Sequence, residues 1–331
     1  MNFLQEKFSF PIRLRRNRRS EAIRSMIRET ELNAADLIAP FFLLEGTHLA
    51  IPIQSMPNIA RLSLDFLLKK IELLHRKGIQ AIALFPAIEP NLKSEGGEEA
   101  WNYDGLIPRA IRTIKDAFPS LCIITDVALD PYTSHGHDGI LNDRGEVDND
   151  QTIQRLIRMA IVHATSGADY VAPSDMMDGR VGALRKALDE EGLEQTGILA
   201  YSAKYASSLY APFRDAVQVK LKSGDKKSYQ MDPANVKEAI LEALLDQEEG
   251  ADILMVKPAL FYLDVITRLR QQTNRPIAAY HVSGEYAMVM AAANAGYLNA
   301  DNVFYEALLS IKRAGADLIF TYAIDTVLDS L

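Results

Sequence analysis

Cysteine is almost missing from this chain: Cys122 is the single thiol in 331 residues. That excludes an intrachain disulfide framework and any cysteine-rich zinc site, and it suits a reducing, cytoplasmic compartment. Long hydrophobic runs are missing as well. The apolar stretches are strand-sized, far below the ~20 residues of a membrane span, and the N-terminus has no apolar core of signal-peptide length. The expectation is a soluble chain with no membrane partner. No GxGxxG turn occurs, and Gly96-Gly97 lies in a charged loop with no Lys-Ser/Thr behind it, so neither a dinucleotide turn nor a phosphate loop is encoded. Positive charge is in deficit, with 36 basic against 44 acidic side chains and a net charge of −8. That balance argues against nucleic acid as a partner and suits an enzyme acting on small molecules.

What is present is alternation. Apolar strand-like runs fall at 37–44, 79–85, 121–128, 169–173, 197–202, 252–256, 277–282 and 318–323. Between them lie stretches with helical spacing and charged outer faces, at 62–77, 106–118, 150–166, 181–191, 234–248, 260–272 and 286–295 with 301–314. Runs this apolar read as parallel strands covered on both faces. Eight strand–helix repeats predict an α/β fold of the (β/α)8 TIM-barrel type spanning 31–331, preceded by an N-terminal arm over 1–30. A recurring Gly-Ala-Asp, at Gly167, Gly250 and Gly315, predicts three equivalent turns in which glycine ends a helix.

Catalytic groups of such barrels gather at the carboxyl ends of the strands. Here those ends carry Asp126 and Asp130, then Ser174, Asp175 and Asp178, then Lys204, Lys257, Ser283 and Tyr322. Two lysines ending successive apolar strands would lie ~5–10 Å apart, where mutual repulsion and lost hydration depress an amine's pKa. An amine left unprotonated can attack a carbonyl and form a Schiff base. Two connections, 131–148 and 205–231, exceed the usual β-to-α turn and read as lids. The second carries Arg214, Lys220, Lys222, Lys226, Lys227 and Gln230, a basic cover suited to a substrate carboxylate.

These residues carry a resemblance. Tyr201-Ser-Ala-Lys204, Met255-Val-Lys257-Pro258, Val282-Ser283-Gly284-Glu285-Tyr286 and Tyr132-Thr-Ser-His135-Gly-His137 make the chain, from about residue 8 onward, similar to the porphobilinogen synthase (5-aminolevulinate dehydratase) family. The resemblance implies a hydro-lyase that condenses two 5-aminolevulinate molecules to porphobilinogen in tetrapyrrole (heme) synthesis. It implies Lys257 as the Schiff-base lysine for the first substrate and Lys204 for the second. Ser283 and Tyr322 would hold the first carboxylate; Arg214, Lys226 and Gln230 would hold the second. The rival readings are a Schiff-base class I aldolase and a noncatalytic oligomeric barrel.

Zinc-dependent members of that family place three cysteines where this chain has Ala128, Asp130 and Asp138. The chain resembles the aspartate-rich branch instead, and hard carboxylates favour Mg²⁺ or K⁺ over zinc. Asp126, Asp130 and Asp138 would hold such a cation or act without one on substrate protons. The resemblance further implies an allosteric Mg²⁺ at Glu242, with Asp169 joining through water, and an octamer of dimers. The arm, with Arg13, Arg15, Arg16, Arg18, Arg19 and Arg24, would wrap a neighbouring subunit.

Overall fold

The computed structural model describes residues 11–331. They belong to two compact units, Met1–Glu31 and Leu32–Leu331. Over its described part the first unit has a 3-10 turn, Leu14–Arg18, and a helix, Glu21–Met26, whose first turn is capped by the Ser20 hydroxyl accepting from the Ile23 N–H. Neither element buries a residue. The expected first ten residues of the arm lie outside the described residues.

The second unit is a closed barrel. Its strands are β1 (Leu37–Leu43), β2 (Ala81–Pro86), β3 (Cys122–Val127), β4 (Tyr170–Pro173), β5 (Gly197–Lys204), β6 (Ile253–Lys257), β7 (Ile277–His281) and β8 (Leu318–Thr321). Each pairs in parallel with the next, and β8 returns to β1. The outer helices are α1 (Leu64–Arg76), α2 (Leu106–Ala117), α3 (Asn149–Thr165), α4 (Arg180–Glu190), α5 (Lys237–Glu248), α6 (Leu263–Arg270), α7 (Ser283–Asn294) and α8 (Ala300–Ala314). The predicted barrel is present. No described helix is long and apolar enough to cross a membrane.

Packing decides these elements. In α2 the stripe Leu106, Ile107, Ala110, Ile111 and Ile114 is buried while Arg109 and Asp116 face outward. Each buried Leu or Ile contributes roughly 1.5–3 kcal/mol, well above the ~0.7 kcal/mol range of ordinary helix propensities. The strands are buried on both faces, β1 along its whole length. The three Gly-Ala-Asp turns are equivalent, as expected. Their glycines take φ of 106°, 108° and 119°, and a Cβ on Gly315 would sit 2.9 Å from Arg270 Cβ. Each aspartate then closes the neighbouring strand at its amino end: Asp169 accepts from Ile123 N–H at 2.6 Å, Asp252 from Ile198 N–H at 2.8 Å, and Asp317 from Ile277 N–H at 2.7 Å.

Both long connections are ordered. The first holds a ribbon of Ile140–Leu141 against Val147–Asp148. The second holds a 3-10 turn, Ser208–Tyr210, and a short helix, Ala211–Ala216, and is tied at its root by a bridge between Tyr205 and Met231. A hairpin of Ala50–Pro52 and Ala60–Leu62 beside β1 was not expected from the sequence. Ser283, read as a strand end, is instead the first residue of α7.

Candidate active site

Lys204 ends β5, Lys257 ends β6, and the strand register sets them directly opposite one another. An irregularity produces that pairing. Leu254 faces Ala200 but Val256 faces Ala203, so β5 carries one extra residue between them. In an unbroken register Lys257 would have faced Ala203, and Lys204 would have pointed to the other side of the sheet. The bulge turns both amines to the interior.

Both lysines are buried, at 6% and 5% exposure. Lys204 Nζ donates to the Ser174 carbonyl. Lys257 Nζ is enclosed by rings, 4.5 Å from the centre of Tyr280, 5.0 Å from Tyr201 and Phe213, and 5.3 Å from Tyr210. Ring faces favour a cation, but burial and the Lys204 charge outweigh them and bring Lys257 down to about 7. A large fraction of neutral amine is therefore present near neutrality.

The aspartates lie beside the amines, and their oxygens are underused. Asp126 Oδ1 and Asp138 Oδ2 are buried without a hydrogen-bond partner. Burial, then the Asp130 charge, raises Asp126 to about 7. Burial also raises Asp130, against the pull of Lys226. For Asp138 burial pushes upward, but Lys204 and Lys226 together hold the carboxyl below its usual range. Lys226 reaches down from the lid to both, with Nζ 3.0 Å from Asp130 Oδ2 and 3.2 Å from Asp138 Oδ1. Two groups titrating near 7 beside one another form an acid/base pair suited to moving protons at neutral pH.

A cavity of about 210 Å³ opens between strand ends and lid, and Lys204, Lys257, Asp130, Arg214, Lys226 and Gln230 all line it. Arg214 has no ion-pair partner among the described residues, which leaves its guanidinium available to a carboxylate. Ser283 and Tyr322 stand behind the rings that enclose Lys257. The Ser283 hydroxyl accepts from Phe213 N–H at 3.0 Å, and the Tyr322 and Tyr280 hydroxyls are 2.9 Å apart.

A cation between the aspartates fits this arrangement poorly. Among the described residues no three His, Cys, Asp or Glu side chains converge to hold a metal ion, and the Lys226 ammonium occupies the bridging position between Asp130 and Asp138. His135 and His137 are engaged in lid contacts, with the Glu95 carbonyl, the Ser223 carbonyl and the Tyr229 hydroxyl. Cys122 starts β3, at the opposite end of the barrel from the amines.

Glu242 lies on α5, half-buried, in a cleft of about 960 Å³ that it shares with Asp178 and Glu238 and that adjoins the active-site cavity along Asp225, Lys227 and Gln230. Burial raises its carboxyl, with Arg180 opposing. Asp169, expected to join it, lies elsewhere. It sits at the amino end of β4, where it caps β3 and pairs with Lys115 at 2.7 Å.

The sequence reading missed Arg180. It is 2% exposed, pairs with Asp246 at 2.8 Å, and stands 3.8 Å from Asp175, whose carboxyl burial raises to about 6. A signal existed: Asp246 continues the buried stripe Ala239, Ala243, Asp246 of α5, and a charge on an apolar stripe demands a partner.

Fold and site together define a class: a (β/α)8-barrel enzyme that presents paired, buried amines and carboxylates at its strand carboxyl ends. Comparison with known proteins narrows it. The delta-aminolevulinic acid dehydratase family model matches residues 11–330, and the chain belongs to that family. It is 54% identical to the delta-aminolevulinic acid dehydratase of Chlamydia pneumoniae over 319 residues, covering 96% of both chains. The chloroplastic dehydratase of Physcomitrium patens is 53% identical over 94% of this chain and 72% of its own. Among solved structures, the Toxoplasma gondii ME49 enzyme in complex with its product porphobilinogen superposes with a TM-score of 0.95 at 49% identity, covering 97% of this chain and 92% of that one.

Proposed function

We propose that this chain is a lyase that condenses two molecules of 5-aminolevulinate to porphobilinogen with release of two waters, within tetrapyrrole synthesis. Family membership sets aside the aldolase and scaffold readings. The observation that carries the chemistry is the Lys257 amine, brought to about 7 and set in register with Lys204. In this reading Lys257 attacks the keto carbon of the first substrate. The carbinolamine loses water to an imine, and Asp126 supplies or accepts the proton. Lys204 does the same for the second substrate. Formation of one C–N and one C–C bond then releases both lysines. Arg214, Lys226 and Gln230 would hold the second carboxylate; Ser283 and Tyr322, behind the ring layer, the first. The lid excludes water and strengthens the charge interactions inside.

Magnesium belongs to the same proposal, at Glu242 rather than at the mouth. Its support is the resemblance together with a half-buried Glu242 carboxyl that opens on a cleft also lined by Asp178 and Glu238. Those three do not converge as a preformed ligand set, and at the mouth Lys226 stands among the aspartates read as holding a cation or acting without one. No catalytic step depends on it. Assembly into an octamer of dimers through the arm is also proposed. Its support is an arm that exposes Ile12, Leu14 and Met26 by 78%, 65% and 77% and whose six-residue helix is too short to hold itself. A cytoplasmic location rests on the single thiol.

The test is porphobilinogen formation by chelator-treated protein, with Mg²⁺, Zn²⁺, K⁺ or nothing added, alongside borohydride trapping with 5-aminolevulinate. Product formation, with an adduct on Lys257 and stimulation by Mg²⁺ that is lost in Glu242→Gln, is expected. No product and no adduct under any condition overturns the reading.

A further inference from the structure

Glu285 belongs to none of the groups above, yet it is fully buried, and its carboxylate spans two active-site turns. Oε1 accepts from the N–H of Leu260, three residues past Lys257, at 2.8 Å. Oε2 accepts from the N–H of Val282, the residue before Ser283, at 2.8 Å. Burial raises this carboxyl to about 8 while the surrounding backbone N–H groups pull the other way, and no basic side chain among the described residues is paired with it. A buried carboxyl without a cation is costly; the N–H groups of Val282 on one turn and of Ala259, Leu260 and Phe261 on the other offset that cost. The same turn receives the lid. A Cβ on Gly284 would stand 2.5 Å from the Leu209 carbonyl oxygen, and the Ser283 hydroxyl takes the Phe213 N–H. Tyr210, from the lid, donates to the Lys257 carbonyl at 3.2 Å.

We infer that Glu285 is a positioning residue that fixes the separation between the Lys257 amine and the Ser283 hydroxyl, and thereby sets the chain length of keto acid the first subsite accepts. The inference rests on the proposed function, in which Lys257 takes the keto carbon and Ser283 the carboxylate of one molecule. Above about pH 8, where the trapping below is run, the carboxyl is ionised, each oxygen accepts from one turn, and the group acts as a ruler between them. Glu285→Gln keeps the shape but turns an amide NH₂ toward one of the two N–H donors, so one bond breaks and the turns uncouple.

The experiment measures half-saturating concentrations for borohydride trapping at Lys257 of 4-oxopentanoate and of 5-oxohexanoate, which is one methylene longer. One misplaced methylene in a fitted pocket is worth about 10-fold or more, and the folded wild type should favour 4-oxopentanoate by that ratio. Glu285→Gln should reduce the ratio to about 3-fold or less, with the KM for 5-aminolevulinate rising more than kcat falls. If Glu285→Gln does not fold, Glu285→Asp, which keeps the charge but is one methylene too short to reach both turns, reads the same ratio. An unchanged ratio in a folded variant overturns the inference. So does equal weakening of both ligands, or a wild type that does not discriminate. Absence of any Lys257 adduct in the wild type would instead defeat the proposed function.

Discussion

At the amino end of the barrel, Asp169, Asp252 and Asp317 each accept a backbone N–H from the neighbouring strand and remain partly open to water; Asp169 also pairs with Lys115, and Asp317 with Arg270 at 3.0 Å. At the carboxyl end, Asp126, Asp130, Asp138 and Asp175 are buried, three of them leave an oxygen without a hydrogen bond, and the first is brought to about 7. One residue type thus closes the bottom and holds unspent acidity at the top. What separates the two sets is burial and the nearest cation: a partly open carboxylate with its donors supplied stabilises a turn, whereas buried Asp126 and Asp175 are raised toward neutrality and Asp138, equally buried, is kept ionised by Lys204 and Lys226.

The contrast can be broken at its strongest point. Lys226→Gln removes the ammonium from two buried aspartates. We expect kcat/KM to fall by about 100-fold or more and the fold to lose about 3 kcal/mol, read by steady-state assay and denaturant unfolding. A near-normal rate would show that the aspartates need no neutralising lid.

A smaller effect sharpens it. The rate of trapping at Lys257 should rise as pH passes about 7, because the neutral amine is the reactive form. Lys204→Met removes a cation that lowers the Lys257 pKa, so the midpoint moves to higher pH. Asp126→Asn removes an anion that raises it, so the midpoint moves to lower pH. Shifts in the same direction, or none, would contradict the coupling. The smallest effect lies at the bottom, where Asp317→Asn should cost about 1–2 kcal/mol of stability and leave kcat/KM within about twofold. If it impaired catalysis as much as Lys226→Gln, the division between the two ends would fail.

The barrel was legible because parallel strands buried on both faces leave unbroken apolar runs, and because Gly-Ala-Asp marks three helix-to-strand turns. The two lysines were legible for the same reason: each is the first charge after such a run. Their alignment was not. It depends on one extra residue between Ala200 and Ala203, which alternation within β5 alone does not reveal. The hairpin at Ala50–Pro52 and Ala60–Leu62 and the two-residue ribbon strands are too short to show a period. Asp169 was assigned to the Glu242 cleft although it precedes β4 and so had to lie at the opposite end. Lys226 could be read from composition as a carboxylate binder, but its grip on Asp130 and Asp138 joins segments 96 and 88 residues apart.

The closing seam of the barrel bears on when the protein becomes active. β8 meets β1 at Leu37↔Ile319 and Ile38↔Phe320, two register pairs where β1 and β2 share six. This is the contact of greatest sequence separation within the sheet, and closing so long a loop is entropically the dearest step of forming it. Tyr322 lies just beyond that seam. A chain still emerging from the ribosome can carry both lysines and the whole lid and yet have no wall behind them. Reactive amines are thus confined to a finished pocket only once β8 has been made and finds β1.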